Sequence, residues 1–180
     1  MMKPDALPSL VRERIVDVAD FPSPGIVFKD ITPLLADGPA LQALVHHWAA
    51  RYQDAGIAQV VAVESRGFLL GAPLAYALGV GVTLVRKPGK LPRPTHEIAY
   101  ALEYGEDRLQ LHQDALVPGM KVVIIDDVLA TGGTASAAVE LVRRTGAEIH
   151  ELAFLIELVF LRGRARVGHD PVYSVVTFGG

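Results

Sequence analysis

Val122-Val123-Ile124-Ile125 is an unbroken β-branched run that leads into Asp126-Asp127. Beyond Val128-Leu129-Ala130 comes Thr131-Gly132-Gly133-Thr134, and Ala135-Ser136-Ala137-Ala138-Val139 then starts a helix. Such a run predicts a strand covered on both faces, as in a parallel sheet, and the ligand crevice of such sheets lies outside the carboxyl ends of the strands. The two aspartates are expected there, at the strand's end. Residues Thr131 to Thr134 offer backbone N–H groups and hydroxyls at the positive end of the following helix, which suits a phosphate monoester. Glycine lets the backbone approach closely. The alternative is an ordinary buried strand and a glycine turn, but two adjacent acids beside an anion loop have no obvious packing use. No Lys follows the glycines, as a Walker A loop requires, and the Gly-x-Gly-x-x-Gly spacing is missing.

The rest of the chain alternates in the same style, which predicts an α/β fold around a mainly parallel sheet flanked by helices. Gln59 to Val63, Val82 to Val85, Lys121 to Ile125, Ile149 to Ile156 and Val172 to Thr177 read as strands. Pro39 to Tyr52, Phe68 to Leu78 and Thr134 to Arg144 read as helices, the last stopped by Gly146. Ala99 to Leu111, with Gly105-Glu106-Asp107 inside, reads as a hairpin. Lys87 to Glu97 lacks apolar periodicity and reads as a long loop, more often functional than idle. A length of 180 residues suits a single domain, 1–180.

Lys and Arg number 17 and Asp and Glu 20, a formal charge of −3, which argues against a general nucleic-acid binder. An anionic ligand therefore needs cations arranged locally. There is no cysteine, hence no disulfide or thiolate metal site, and the six histidines lack a ligand spacing. Met1 to Val11 lacks a signal-peptide core, and the richest apolar run, Leu152 to Phe160, is broken by Glu157 and too short to span a bilayer. The expectation is a cytoplasmic enzyme that binds neither nucleic acid nor membrane.

Two more segments carry charge in a telling place. Glu64-Ser65-Arg66-Gly67-Phe68 follows a predicted strand and precedes a helix, repeating the strand, loop, helix logic of an anion site; standing alone, it also reads as a capped helix start with a solvated arginine. Arg86-Lys87-Pro88-Gly89-Lys90 sets three cations beside a glycine, a pattern that is often only solvated surface. By physics alone, Asp20 to Leu34 is a Pro-Gly turn leading into a short strand.

Taken in order, these motifs resemble the adenine phosphoribosyltransferases, within the type I phosphoribosyltransferase family. The resemblance runs from Phe21 to Leu158. It implies that Asp126 and Asp127 take the ribose hydroxyls of phosphoribosyl pyrophosphate (PRPP), while Ala130, Thr131, Gly132, Gly133 and Thr134 wrap the 5′-phosphate. Glu64, Ser65, Arg66 and Gly67 correspond to the pyrophosphate loop, with a cis peptide implied at Ser65-Arg66. The segment from Lys87 to about Leu111 resembles a mobile hood, from which Arg86, Lys87 and Lys90 neutralise the departing pyrophosphate. Glu103 is the implied acceptor of the purine proton, with a plain hairpin carboxylate as the alternative, and Tyr104 packs the closed lid. Val27, Phe28, Lys29 and Leu158 are implied to hold the adenine, Phe28 by stacking. The chain departs from the usual family pattern at Lys29, where arginine is common, and at Glu64, where aspartate is common.

The implied reaction joins adenine and PRPP to give AMP and pyrophosphate. Arg66, Glu103, Asp126 and Asp127 are the candidate catalytic residues. Mg²⁺ is the implied cofactor, carried by PRPP with Asp126 and Asp127 as its only candidate protein contacts, and a homodimer is the family's usual assembly. The alternatives are a hypoxanthine, guanine or xanthine phosphoribosyltransferase and a PRPP-sensing regulator without turnover. The regulator needs a DNA-reading module that the residues before Phe21 do not supply.

Overall fold

The computed structural model describes residues 6–101 and 106–179, and the chain divides into two compact units, Met1–Trp48 and Ala49–Gly180. The first unit begins with helix α1 (Ala6–Arg12), then strands β1 (Val16–Ala19) and β2 (Val27–Asp30), helix α2 (Thr32–Ala36) and the start of α3 (Gly38–Tyr52). β1 and β2 pair antiparallel, with Asp17 opposite Lys29 and Val18 opposite Phe28. Their connection is held by the Gly25 N–H, which donates to Asp20 Oδ1 at 2.7 Å. Pro33 sits in the first turn of α2, where a missing N–H costs nothing.

The second unit contains β3 (Gln59–Val63), α4 (Arg66–Leu78), β4 (Gly81–Val85), β5 (Thr95–Ala101), β6 (Glu106–His112), β7 (Lys121–Leu129) and α5 (Gly133–Arg144). After these come β8 (Glu148–Leu158), a 3₁₀ turn (Val159–Leu161), α6 (Gly163–Val167) and β9 (Val172–Phe178). Five strands form one sheet in the order β4-β3-β7-β8-β9, and every neighbouring pair is parallel. The expected mainly parallel sheet is therefore present, with β5 and β6 forming a separate antiparallel ribbon. Val60 to Val63, Val122 to Ile125 and Leu152 to Ile156 are almost completely buried, as β-branched and aliphatic runs are when both faces of a sheet are covered. α5 contributes Ala138, Leu141 and Val142 to the same core.

Two boundaries differ from the sequence expectation by more than two residues. β7 does not stop at Ile125. Its pairing with β3 ends there, at Ala62 opposite Ile125, but pairing with β8 continues through Asp126 to Leu129 opposite Glu157. The acids thus lie inside a strand with one neighbour missing, which keeps the backbone extended and opens one side. The loop expected over Lys87 to Glu97 is shorter, because Thr95 to Glu97 belong to β5. Their ladder with β6, from Thr95 opposite His112 to Ala101 opposite Glu106, supplies the order that apolar alternation does not. For the same reason Glu106 and Asp107, expected inside the hairpin, are strand residues. Among the described residues, no helix is long and apolar enough to cross a membrane.

Candidate active site

The carboxyl ends of β3 and β7 open onto a cavity of about 360 Å³ in the second unit. Its walls include Glu64, Ser65 and Arg66, then Asp126 through Ala135. Both predicted anion loops therefore meet at one place. At the first loop Glu64 still follows the sheet, its N–H donating to Val85 O at 2.9 Å. The chain then bends into α4. The non-proline cis peptide lies at this bend, between Glu64 and Ser65, one residue before the position implied by resemblance. Gly67 brings α4 against β7, since a Cβ there would stand 2.9 Å from Ile125 O and 3.1 Å from Asp126 Oδ1.

The paired acids are not equivalent. Successive strand residues face opposite sides, and Asp127 is turned inward, only 4 % exposed, where its Oδ2 accepts a hydrogen bond from Arg66 Nε. Asp126 is half-buried and accepts the backbone N–H of Asp127 at 2.9 Å. Burial, and then the neighbouring charge of Asp127, raise the pKa of Asp126 well above the ordinary aspartate value.

The second loop ends in Gly132, which caps α5 with φ +83 and offers no side-chain cap. The first-turn N–H groups of α5 consequently have no competing side-chain acceptor at the cap and lie along the cavity with Thr131 and Thr134. A helix start of this kind is a general anion site. Gly133, expected in the loop, is the first residue of the helix itself, and Thr134, expected to open the helix, is the second.

The cations of the proposed hood converge on Glu64. Its carboxylate accepts from Lys90 Nζ, from the Lys87 N–H at 2.9 Å and from Arg86 Nε at 3.2 Å. Burial pushes the Glu64 pKa up, but the hydrogen bonds from Lys90, Lys87 and Arg86 outweigh it and hold the value at about 2. A carboxylate so placed organises cations. The Lys87 ammonium donates to Asp107 Oδ2 at 2.8 Å, and the same oxygen accepts from Tyr100 OH at 3.2 Å. Thr134 Oγ1 in turn donates to Tyr100 OH at 3.4 Å. Tyr100 and Asp107 also line the cavity, and sequence reasoning missed both. They are directly opposite in the β5 and β6 register, so a correctly centred hairpin is the signal that would have found them.

Among the residues implied to hold adenine, Val27, Phe28 and Lys29 lie on β2. The Phe28 ring meets Phe21 edge to face at 5.1 Å, and Lys29 Nζ pairs with Asp17 Oδ1 at 2.6 Å. In the other unit, Leu158 ends β8. Glu103 and Tyr104 lie outside the described residues. No group of three or more His, Cys, Asp or Glu among the described residues has the arrangement to hold a metal. The two acids alone fit a hard cation that keeps most of its ligands from substrate oxygens and water.

The chain matches the model of the phosphoribosyl transferase domain over residues 34–178. It is 53 % identical over 164 residues to an adenine phosphoribosyltransferase from a Roseiflexus species, covering 91 % of this chain and 95 % of that protein. Among solved structures, the adenine phosphoribosyltransferase of Thermoanaerobacter pseudethanolicus superposes with a TM-score of 0.92 at 45 % identity, covering 95 % of this chain and 99 % of the other. The Saccharomyces cerevisiae adenine phosphoribosyltransferase, complexed with an imino-altritol bisphosphate and adenine, gives 0.91 at 38 % identity, covering 95 % and 99 %.

Proposed function

The chain belongs to the phosphoribosyl transferase domain family, and from that premise we propose that it is a purine-salvage enzyme moving the phosphoribosyl group of PRPP to adenine, with AMP and pyrophosphate as products. The observation that carries this reading is the single cavity lined at once by Arg66, by Asp126 and Asp127, and by the start of α5. The order of these groups matches the order of charges along PRPP: pyrophosphate, ribose, 5′-phosphate. The whole chain, 1–180, is taken as one phosphoribosyltransferase domain with the hood at about 87–111 inserted. A homodimer and a cytoplasmic setting are carried into the proposal from the family resemblance.

In this mechanism the start of α5 anchors the 5′-phosphate through backbone N–H groups, and Asp126 and Asp127 orient the ribose hydroxyls. As pyrophosphate leaves, the anomeric carbon gains positive charge, which the nearby carboxylates stabilise. Arg66, the Arg86 and Lys90 cations gathered by Glu64, and Lys87, whose ammonium is held by Asp107, face the growing negative charge. Phe28 stacks on the adenine, Leu158 supplies an apolar wall, and Glu103 accepts the purine proton. Magnesium carried by PRPP would neutralise part of the pyrophosphate charge, and Asp126 and Asp127 are the residues that would hold it. No covalent enzyme intermediate is required; positioning and fixed charge carry the catalysis.

The deciding experiment measures AMP formation from adenine, PRPP and Mg²⁺, with hypoxanthine and guanine as competing bases. Release of AMP and pyrophosphate in equal amounts supports the proposal. PRPP binding without turnover, or preference for a 6-oxo purine, replaces it with one of the alternatives.

A further inference from the structure

The phosphate loop is braced from behind by a segment some thirty residues further along the chain. A Cβ added to Gly132 would overlap the carbonyl oxygen of Gly163 and reach 3.1 Å from Arg166 Cβ. A Cβ added to Gly163 would overlap the carbonyl oxygen of Ala130 and press to 3.0 Å from Leu129 Cγ and Cδ1. The two glycines are therefore reciprocal: each makes room, through its missing side chain, for a backbone carbonyl at or beside the other. Gly163 is buried, at the start of α6.

The two sides of this contact are not held equally. Arg164, the next residue, grips Glu157 of β8 with two bonds, Nε to Oε1 at 2.6 Å and Nη2 to Oε2 at 2.7 Å, and gives Nη1 to Val172 O at 2.8 Å. Ser174 of β9 donates to the same carboxylate at 2.8 Å, and Val167 closes α6 into the core. The segment is thus tied to two strands of the sheet, to β8 by a bidentate pair on the buried Glu157 carboxylate and to β9 by the bond to Val172 O. Residues 130–132 have no comparable anchor of their own among the described side-chain bonds. When the contact is crowded, the phosphate loop is the side that yields.

We propose that Gly163 is a positioning residue for the phosphate loop, holding Ala130 and Gly132 where the N–H groups of the α5 start converge on a phosphate monoester. It touches no ligand and acts through the backbone of the loop. The inference rests on the proposed phosphoribosyl transfer, because it takes the ligand of that loop to be the 5′-phosphate of a ribose. Carbon and carbonyl oxygen ordinarily stand about 3.3 Å or more apart, so a methyl group at Gly163 displaces the loop by about 1 Å. A shift of that size at a positioning element costs up to about a hundredfold.

The test is calorimetric titration of the wild type, Gly163→Ala and Arg164→Lys with ribose 5-phosphate, and separately with magnesium pyrophosphate. Gly163→Ala should weaken ribose 5-phosphate by about tenfold or more and leave pyrophosphate affinity unchanged, since the Glu64 to Gly67 loop is not in the brace. Arg164→Lys, which keeps the charge but not the bidentate grip, should show the same selective loss to a smaller degree. It decides the question alone if Gly163→Ala does not fold. Unchanged ribose 5-phosphate affinity, or equal losses for both ligands, overturns the brace while leaving the functional reading in place. A wild type that binds no ribose 5-phosphate overturns both.

Discussion

Arg66 Nε donates to Asp127 Oδ2, joining the first residue of α4 to an acid inside β7. The pair links the two anion loops. In the proposed reaction Arg66 faces the pyrophosphate and Asp127 the ribose, so the groups that read the two sides of the breaking bond are in direct contact. Arg66 keeps 40 % of its side chain exposed while Asp127 keeps 5 %, so Arg66 is the more open of the two, although both line the cavity.

Asp127→Asn tests that pair. The amide preserves shape but removes the charge facing the developing cation, and kcat/KM should fall by about 10²-fold or more, a common scale for one preorganised electrostatic group. Folding should survive, because the exposed part of Arg66 can hydrate. A folded variant with near-wild-type steady-state kinetics would show that Asp127 does not serve the ribose.

Glu64 and Asp126 should respond to pH in opposite directions. Glu64, held at about 2 against an ordinary 4.5, contributes stability that is present above pH 4.5 and lost as the pH falls toward 2. Asp126, raised above its ordinary 3.8, binds its proton more tightly folded than unfolded, so its contribution is present below pH 3.8 and declines as pH rises beyond it. Denaturation midpoints of Glu64→Gln should therefore fall below wild type at neutral pH and converge on it in acid. For Asp126→Asn the gain over wild type should grow from pH 4 upward. Parallel curves for either variant would refute the corresponding assignment.

Tyr100→Phe removes the hydroxyl that joins Asp107 on the ribbon to Thr134 at the start of α5. Two hydrogen bonds are lost, each worth about 1 kcal/mol, so kcat/KM for PRPP should drop by roughly fivefold to thirtyfold with little change in thermal midpoint. An unaltered kcat/KM would mean that the hydroxyl is idle.

Cleavage after Arg86 and Lys90 should be slowed by PRPP with Mg²⁺, the Lys87–Pro88 bond being resistant to trypsin in either state. The cations there are held by Glu64 and Asp107, and a bound pyrophosphate adds a stronger anion that orders the same segment. Limited trypsin digestion followed by mass spectrometry reads this directly; equal rates with and without ligand would reduce the hood to surface.

Adenine should exceed hypoxanthine by at least roughly 10²-fold in kcat/KM. Adenine offers an N6 donor and N1 acceptor, and hypoxanthine the reverse, so a fixed backbone at Val27 and Lys29 leaves one of them with unpaired groups at about 1–3 kcal/mol each. The Lys29 ammonium is engaged with Asp17, so Lys29→Arg should change selectivity little. Phe28→Ala should weaken every base together. Comparable kcat/KM values for the two bases would discard backbone readout.

What the sequence determined by itself was local. The Val122 to Ile125 run declared a strand buried on both faces, Gly132 and Gly133 declared a turn into a helix, and both anion loops were legible because strand, loop and helix follow one another within a few residues. The hood cations were likewise visible as composition. Only the tertiary structure decided that Asp126 and Asp127 stay inside β7 with different surroundings, that Asp107 stands opposite Tyr100 rather than in a turn, and that Gly163 buttresses Gly132. Those relations depend on where β3 stops pairing, on the register of a ribbon and on the approach of two backbones distant in sequence. Side-chain periodicity records which face of an element is buried, but it does not record what another element places against that face.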